Sequence, residues 1–394
     1  MSLRRREPDA PRPVRPTGRP HWAGRIEDRF NAVLVASLLR RGWEPRVVGY
    51  TGYGRPGWIR VLGRVLVSRP GQPQEDAGPP VGEHAPVGEH LAAAAVSALR
   101  GWRSFVSAPV RGAAVDVEVG GVRHRLVSGR GGYLDARLPS DLPAGEHVVT
   151  MSVAAAGDPA PEEVSEVSEG AEGVVDEPAL VVEVTVVVVG DDQRLGVVSD
   201  IDDTVMVTSL PRPLIAAWNT FVLHEQARRP VPGMAQLLTA AAAQAPGVPV
   251  VYLSTGAWNI APVLTRFMAR HGFPAGPLLL TDWGPTNTGW FRSGSEHKRA
   301  ALRRLREELP HLRWLLVGDD GQHDPEIYTE FAAEAPEAVR GIAIRQLTAT
   351  EQVLSHGRPV PTSSPGAPRR PPVPDVRAPD GDGLSHQLRQ AGLL

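Results

Sequence analysis

The pattern of apolar and polar positions divides the chain into two unlike halves. Residues 23–190 carry short runs at strand spacing: RVVGYTGYGRPGWIRVLGRVLVS, AAVDVEVGG, VRHRLVSG, GYLDARLP, GEHVVTMSV and LVVEVTVVVV, separated by turn residues. These runs predict a β-sandwich-like domain. Two helical patterns accompany them. One places Ile26, Phe30, Val33, Leu34 and Leu38 on a single stripe, and the other covers GEHLAAAAVSALRGWRSFVS. Over residues 191–350 the pattern changes. LGVVSD, VPVVYLS, GPLLLTD and RWLLVGD are continuous apolar runs, alternating with the helical stretches MAQLLTAAAAQ, VLTRFMARHG, HKRAALRRLREELP and PEIYTEFAAEAP. That alternation predicts βαβ units and an α/β domain whose parallel sheet is buried on both faces.

Three segments lack any such period. Residues 1–22 form an Arg/Pro-rich arm, and residues 351–394 a tail with eight prolines between Gly357 and Asp380; both are expected to be disordered. The insert 157–178 holds eight acidic and no basic residues and reads as a loop. The sequence GYGRPG gives a literal GxGxxG at Gly52, Gly54 and Gly57. A dinucleotide fingerprint needs a helix next, whereas WIRVLGRVLV continues as a strand, so a hairpin is the reading here.

Composition narrows the function classes. At 394 residues the chain accommodates two domains, and a net charge of -2 favours neither nucleic acid nor strong membrane attraction. With no cysteine, disulfides and thiolate metal sites are excluded. No apolar run reaches the ~18 residues of a membrane helix, and the N-terminal MSLRRREPDA lacks the apolar core of a signal peptide. One count stands out. Of 42 Lys and Arg residues only Lys298 is a lysine, in a chain that otherwise uses arginine for every positive charge. Arg substitutes for Lys on a surface but not where a compact point charge is needed.

In open parallel sheets, ligands bind beyond the carboxyl ends of the strands. After LGVVS come Asp200, Asp202, Asp203 and Thr204. After VPVVYL come Ser254 and Thr255, and after RWLLVG come Asp319, Asp320 and Asp324, while Lys298 opens the helix between these last two runs. Carboxylates this close raise each other's pKa unless a cation relieves them, so the cluster is either a solvated turn or a cation site. An EF-hand lacks its glycine and terminal glutamate here, and a P-loop fails because His297 precedes the lysine. Phosphoryl transfer fits the set. A carboxylate nucleophile divides the displacement into two steps, Mg²⁺ takes hard oxygen ligands, and a hydroxyl and an ammonium hold the transferring oxygens.

The segments DIDDTVMVTS, YLSTGAWN, LLLTDWG and LLVGDDGQHDPEIY resemble the actin-patch-associated phosphatidate phosphatase family and its bacterial relatives. Those are lipin-like DxDxT phosphatases of the haloacid dehalogenase superfamily, and the resemblance runs over roughly residues 45–350. It implies a Rossmann-like parallel sheet of haloacid dehalogenase type and an Mg²⁺-dependent phosphomonoester hydrolase acting on phosphatidate. By this resemblance Asp200 is the nucleophile and a metal ligand, and Asp202 is the general acid and base, with its carbonyl on the metal. Thr204 supports the loop, Ser254 contacts the phosphoryl oxygens beside Thr255, and Lys298 offsets charge. Asp319 binds Mg²⁺, with Asp320 or Asp324 assisting. LIAAWNTFVLHE would cap the site, and Trp283, Trp290 and Phe291 would meet a lipid surface. A soluble phosphorylated metabolite as substrate, and a binding protein with a degenerate phosphatase domain, are the competing expectations. The location implied is cytoplasmic, peripheral at the membrane.

Overall fold

The computed structural model describes residues 22–70, 108–154, 180–207, 229–281, 294–348, 351–352 and 371–394. The N-terminal arm up to residue 21, the second N-terminal helical pattern, the acidic insert, LIAAWNTFVLHE and the aromatic loop at 282–293 lie outside the described residues.

Helix α1 (Trp22–Leu39) leads into a hairpin of long strands, β1 (Glu44–Arg55) and β2 (Gly57–Ser68). Strands β3 (Ala114–Val119), β4 (Val122–Val127), β5 (Tyr133–Ser140), β6 (Gly145–Val153) and β7 (Val182–Val188) complete a sheet of order β4-β3-β6-β7-β1-β2-β5. Neighbours run antiparallel except for β1 and β7. The GxGxxG glycines belong to the hairpin. Gly57 turns it at φ +98, and a Cβ on Gly52 or Gly54 would lie 2.4 Å from the facing carbonyl oxygen of Arg60 or Trp58.

The sandwich expectation needs refining, because the strands form one continuous sheet. Its edge strands β4 and β5 are joined by residues 128–132 alone. A flat seven-stranded sheet would hold its edges roughly 29 Å apart, beyond the ~20 Å such a link can span. The sheet therefore curls, wrapping Val115, Val117, Met151, Val184, Val186, Ile59 and Val61 inside.

The second half follows as β8 (Leu195–Ser199), a two-residue pair β9 (Met206–Val207) and β10 (Arg229–Pro230), then α2 (Met234–Ala242), β11 (Val250–Ala257), α3 (Ala261–Arg270) and β12 (Leu278–Thr281). Next come α4 (Gly294–Glu308), β13 (Arg313–Asp319), α5 (Asp324–Glu334), β14 (Val339–Arg345), β15 (Asp375–Ala378) and α6 (Gly381–Gln390). Six strands, all parallel, lie in the order β12-β11-β8-β13-β14-β15. The chain steps outward from β8 on one side, then returns to β13 and steps outward on the other. The switch point therefore falls between β8 and β13, where a ligand crevice is expected. Three exposed pairs tie α4 to α5 and the turn after it: Arg299–Glu330, Arg303–Glu334 and Arg306–Glu337, at 2.7, 2.8 and 2.7 Å.

The tail is a correction. Residues 371–394 are ordered, not a loose end: β15 adds to β14, and α6 buries Leu384 and Leu388 in the main core. Asp380 caps α6 by accepting from the Gly383 N–H, and the Gly381 N–H reaches the Pro232 carbonyl at 2.9 Å. A four-residue edge strand among prolines leaves too short a pattern to show periodicity.

The halves share a core. Tyr50, Tyr53, Trp58 and Leu62 of the hairpin, with Val189, pack into the same cluster as the parallel sheet. Tyr50 stacks on Trp258 at 4.8 Å between centroids. The Tyr53 hydroxyl donates to Glu308 at the end of α4 (2.6 Å), and Arg60 bridges that same Glu308 to Asp135.

Candidate active site

Each strand of the parallel sheet delivers its polar residues at one level. In the ladder Ser199 pairs with both Tyr252 and Val317, so Asp200, Ser254 and Asp319 all emerge one or two residues beyond that line. The Asp200 N–H still bonds the Val317 carbonyl at 2.9 Å, which fixes Asp200 to the rigid sheet. The chain then turns tightly: the N–H groups of Val205 and Met206 both return to the Ile201 carbonyl, at 2.8 and 3.2 Å. Asp203 takes a left-handed conformation (φ +57), alone among the described non-glycine residues. Ile201 and Val205 are fully buried and anchor this loop, whose Asp202 and Asp203 are also buried.

Asp200, Asp319 and Asp324 come together with oxygens within 4.8 Å of one another. Lys298, at 2% exposure, enters from α4 and donates to Asp200 Oδ1 at 2.7 Å and Asp324 Oδ1 at 2.5 Å. The lone lysine of the chain is thus an ion-pair centre in the interior. Asp319 Oδ1 accepts the Gly321 N–H at 2.6 Å, and its Oδ2 lies 3.4 Å from the Thr204 hydroxyl. Gly318 leaves room for this approach, since a Cβ there would sit 2.6 Å from Asp324 Oδ2.

Three buried carboxylates face one buried ammonium, leaving two negative charges uncompensated when all are ionised. Burial pushes the Asp200 carboxyl up to about 8, against the pull of Lys298 and with the push of Asp324 and Asp202. Burial, then Asp324 and Asp200, raises Asp319 well above the usual carboxylate range. For Lys298 burial works against the charge, but Asp200 and Asp324 prevail and hold its pKa above the ordinary value. Asp200 Oδ2 and Asp324 Oδ2 are buried and have no hydrogen-bond partner among the described residues. Orphaned carboxylate oxygens beside a net deficit of two positive charges suit a hard divalent cation, and all the donors are oxygens.

The remaining sequence candidates fall into place around this centre. Ser254, expected to face the phosphate, instead donates its hydroxyl to Asp202 Oδ2 (2.9 Å) and accepts the Gly256 N–H. Thr255 lies against the start of α4, where a Cβ on Gly294 would meet its methyl at 2.5 Å; its carbonyl accepts from Thr281. Of the two assisting aspartates, Asp324 joins the cluster, whereas Asp320 turns to the Leu347 N–H at 2.8 Å. His323 is largely exposed beside Glu326.

Two residues escaped the sequence reading. Tyr328, one helical turn after Asp324, is fully buried and donates to the Val317 carbonyl at 3.2 Å; the i, i+4 spacing from Asp324 could have signalled it. Arg345, at the end of β14, bonds the Asp203 carbonyl at 2.7 Å. Nothing separates it in sequence from the many surface arginines.

Residues 195–346 match the family model described as the catalytic domain of phosphatidate phosphatase APP1. An uncharacterized protein of Schizosaccharomyces pombe is 27% identical over 161 residues, covering 40% of this chain and 26% of that protein. The phosphatidate phosphatase APP1 of Saccharomyces cerevisiae is 26% identical over 152 residues, covering 38% of this chain and 26% of its own length. The chain thus spans about a quarter of these curated relatives. Among solved structures, the HAD domain of the effector protein Lem4 of Legionella pneumophila aligns over 39% of this chain and 85% of that one, at 16% identity and a TM-score of 0.27. That score is too low to support an argument about fold.

Proposed function

We propose, from the match of residues 195–346 to the family model of the phosphatidate phosphatase APP1 catalytic domain, that this chain hydrolyses a phosphomonoester, with phosphatidate as the substrate. The observation that carries the chemistry is the buried Asp200 carboxylate, one oxygen held by Lys298 and the other without a partner, facing Asp319 and Asp324.

In this reading Asp200 attacks phosphorus, a new O–P bond forms, and the ester O–P bond breaks. Asp202 gives its proton to the departing alkoxide, which for phosphatidate leaves as diacylglycerol. Asp202 then takes a proton from water, whose oxygen attacks the aspartyl-phosphate; phosphate leaves and the Asp200 carboxylate is restored. Ser254 aims Asp202 by donating to its Oδ2. Lys298 favours the ionised form of Asp200 against the effect of burial and offsets charge on the phosphoryl oxygens. Asp200, Asp319 and Asp324 would hold Mg²⁺, with the Asp202 carbonyl as a further donor. The ion supplies charge neutralisation for carboxylates and phosphate.

The test is a phosphatase assay of the full chain on phosphatidate in mixed micelles, p-nitrophenyl phosphate and soluble sugar phosphates, with Mg²⁺ and with a chelator. Mg²⁺-dependent turnover that favours phosphatidate is expected. A preference for sugar phosphates would move the substrate to a soluble metabolite. No turnover on any monoester would reject the phosphatase reading.

A further inference from the structure

We infer that Arg345, backed by the C-terminal segment 375–390, is a positioning residue that holds the loop carrying Asp200 and Asp202 in its working shape. The inference rests on the phosphatase reading above.

Arg345 pairs in register with Asp319 across β13 and β14 and is 4% exposed. Its guanidinium reaches three segments. Nη1 donates to the Asp203 carbonyl (2.7 Å), Nε to the Pro379 carbonyl in the turn between β15 and α6 (3.1 Å), and Nη2 to Glu351 (2.6 Å). Glu351 is itself fixed by the Thr348 N–H and hydroxyl, at 2.8 and 2.9 Å. A planar fork with separate donors can satisfy these acceptors together; a lysine could not.

The acceptor that matters is the Asp203 carbonyl. Left-handed backbone costs a non-glycine residue about 1 kcal/mol and persists only when its surroundings over-determine it. Asp203 sits between Asp202, which Ser254 aims, and Thr204, whose hydroxyl faces Asp319. Rotating the peptide after Asp203 would swing its carbonyl away and displace both neighbours. The N–H side of this loop is held by its own bonds to Ile201 and Met206, and the carbonyl of Asp203 by Arg345. Two of the three anchors, Glu351 and Pro379, lie beyond residue 346, where the family match ends. Asp380 and Gly381 seat α6 against Pro232, so the Pro379 carbonyl is rigidly placed. The C-terminal strand and helix thereby act on the site through one side chain.

The experiment compares the full chain with Arg345→Met and Arg345→Lys by steady-state kinetics and by amide hydrogen exchange. For Arg345→Met, kcat should fall about 10- to 100-fold while KM moves little, because misplaced reacting groups affect the chemical step. Exchange at Val205 and Met206 should speed up at least about tenfold, while amides of β7 keep their protection. Arg345→Lys should recover only part of either loss, and if Arg345→Met does not fold, Arg345→Lys is judged by the same two readouts. A folded variant with wild-type kcat and wild-type loop exchange would overturn the inference, as would protection lost evenly across both sheets. Absence of turnover in the unaltered chain would reject the phosphatase reading, and loop exchange alone would then decide the role of Arg345.

Discussion

The two sheets each bury charge, and they balance it differently. In the curled sheet Asp116 on β3 faces Arg125 on β4, joined by two parallel bonds of 2.7 and 2.8 Å. Each carboxylate oxygen meets a guanidinium nitrogen, and the pair is neutral. At the switch point of the parallel sheet, one ammonium faces three carboxylates, and two buried oxygens have no partner among the described residues. A balanced pair is a way of tolerating charge inside a fold. An unbalanced cluster is kept at a cost to stability, which points to use.

Four substitutions and one condition test that contrast, the largest effect first. Asp200→Asn should lower p-nitrophenyl phosphate turnover roughly a thousandfold or more, as the proposed nucleophile role requires. Its melting temperature without added cation should stay at or above wild type, since one of three repelling carboxylates is gone. Lys298→Met should reduce stability by about 3–5 kcal/mol in cation-free urea titration, because Asp200 and Asp324 lose the countercharge that pairs with both. Lys298→Arg should fold better yet still lose most turnover, the fork being too large for a point-charge position. Asp116→Ala in the balanced pair should cost about 1–2 kcal/mol and leave kcat unchanged. Any large change in kcat there would erase the distinction between the two sheets.

The smallest effect is a pH dependence. Burial raises the folded-state pKa of Asp200 to about 8 from an ordinary 3.8. The folded protein therefore binds this proton more tightly than the unfolded chain, so its contribution to stability is full below about pH 4 and is lost as pH rises through about 8. Lys298, held above its ordinary value, stays charged across that window. Without a divalent cation, the melting temperature should fall from pH 5 to pH 8, and added Mg²⁺ should raise it more at pH 8 than at pH 5. An equal Mg²⁺ shift at both values would mean that the ion does not relieve these carboxylates.

Much of the site was legible because its chemistry sits where an apolar run stops. DIDDT, Ser254, Lys298 and Asp319 are each marked by position, and Lys298 also by scarcity. Direction was harder to read than membership. Only coordinates show that Ser254 turns to Asp202 and Asp320 to Leu347, since a one-residue step along a strand end reverses the face. The β strands of residues 44–188 followed from alternation, whereas their closure into a single curled sheet depends on a short link between its edges. DVRA and GDGLSHQLRQ escaped because proline-rich surroundings hid a short edge strand and a helix whose apolar residues are few. Arg345 was invisible for the opposite reason: its residue type is everywhere in this chain.

The helix that carries Lys298 is also the one whose far end, Glu308, is gripped by Tyr53 and Arg60 of the curled sheet. A fragment cut to the limits of the family match, 195 and 346, would shear off that grip. It would bare the apolar seam left by Tyr50, Trp58 and Leu62, and strip β15 from the edge of its sheet. The segment that the family match delimits is therefore smaller than what mechanics requires as a unit, and expression of it alone should yield an aggregating, unanchored half.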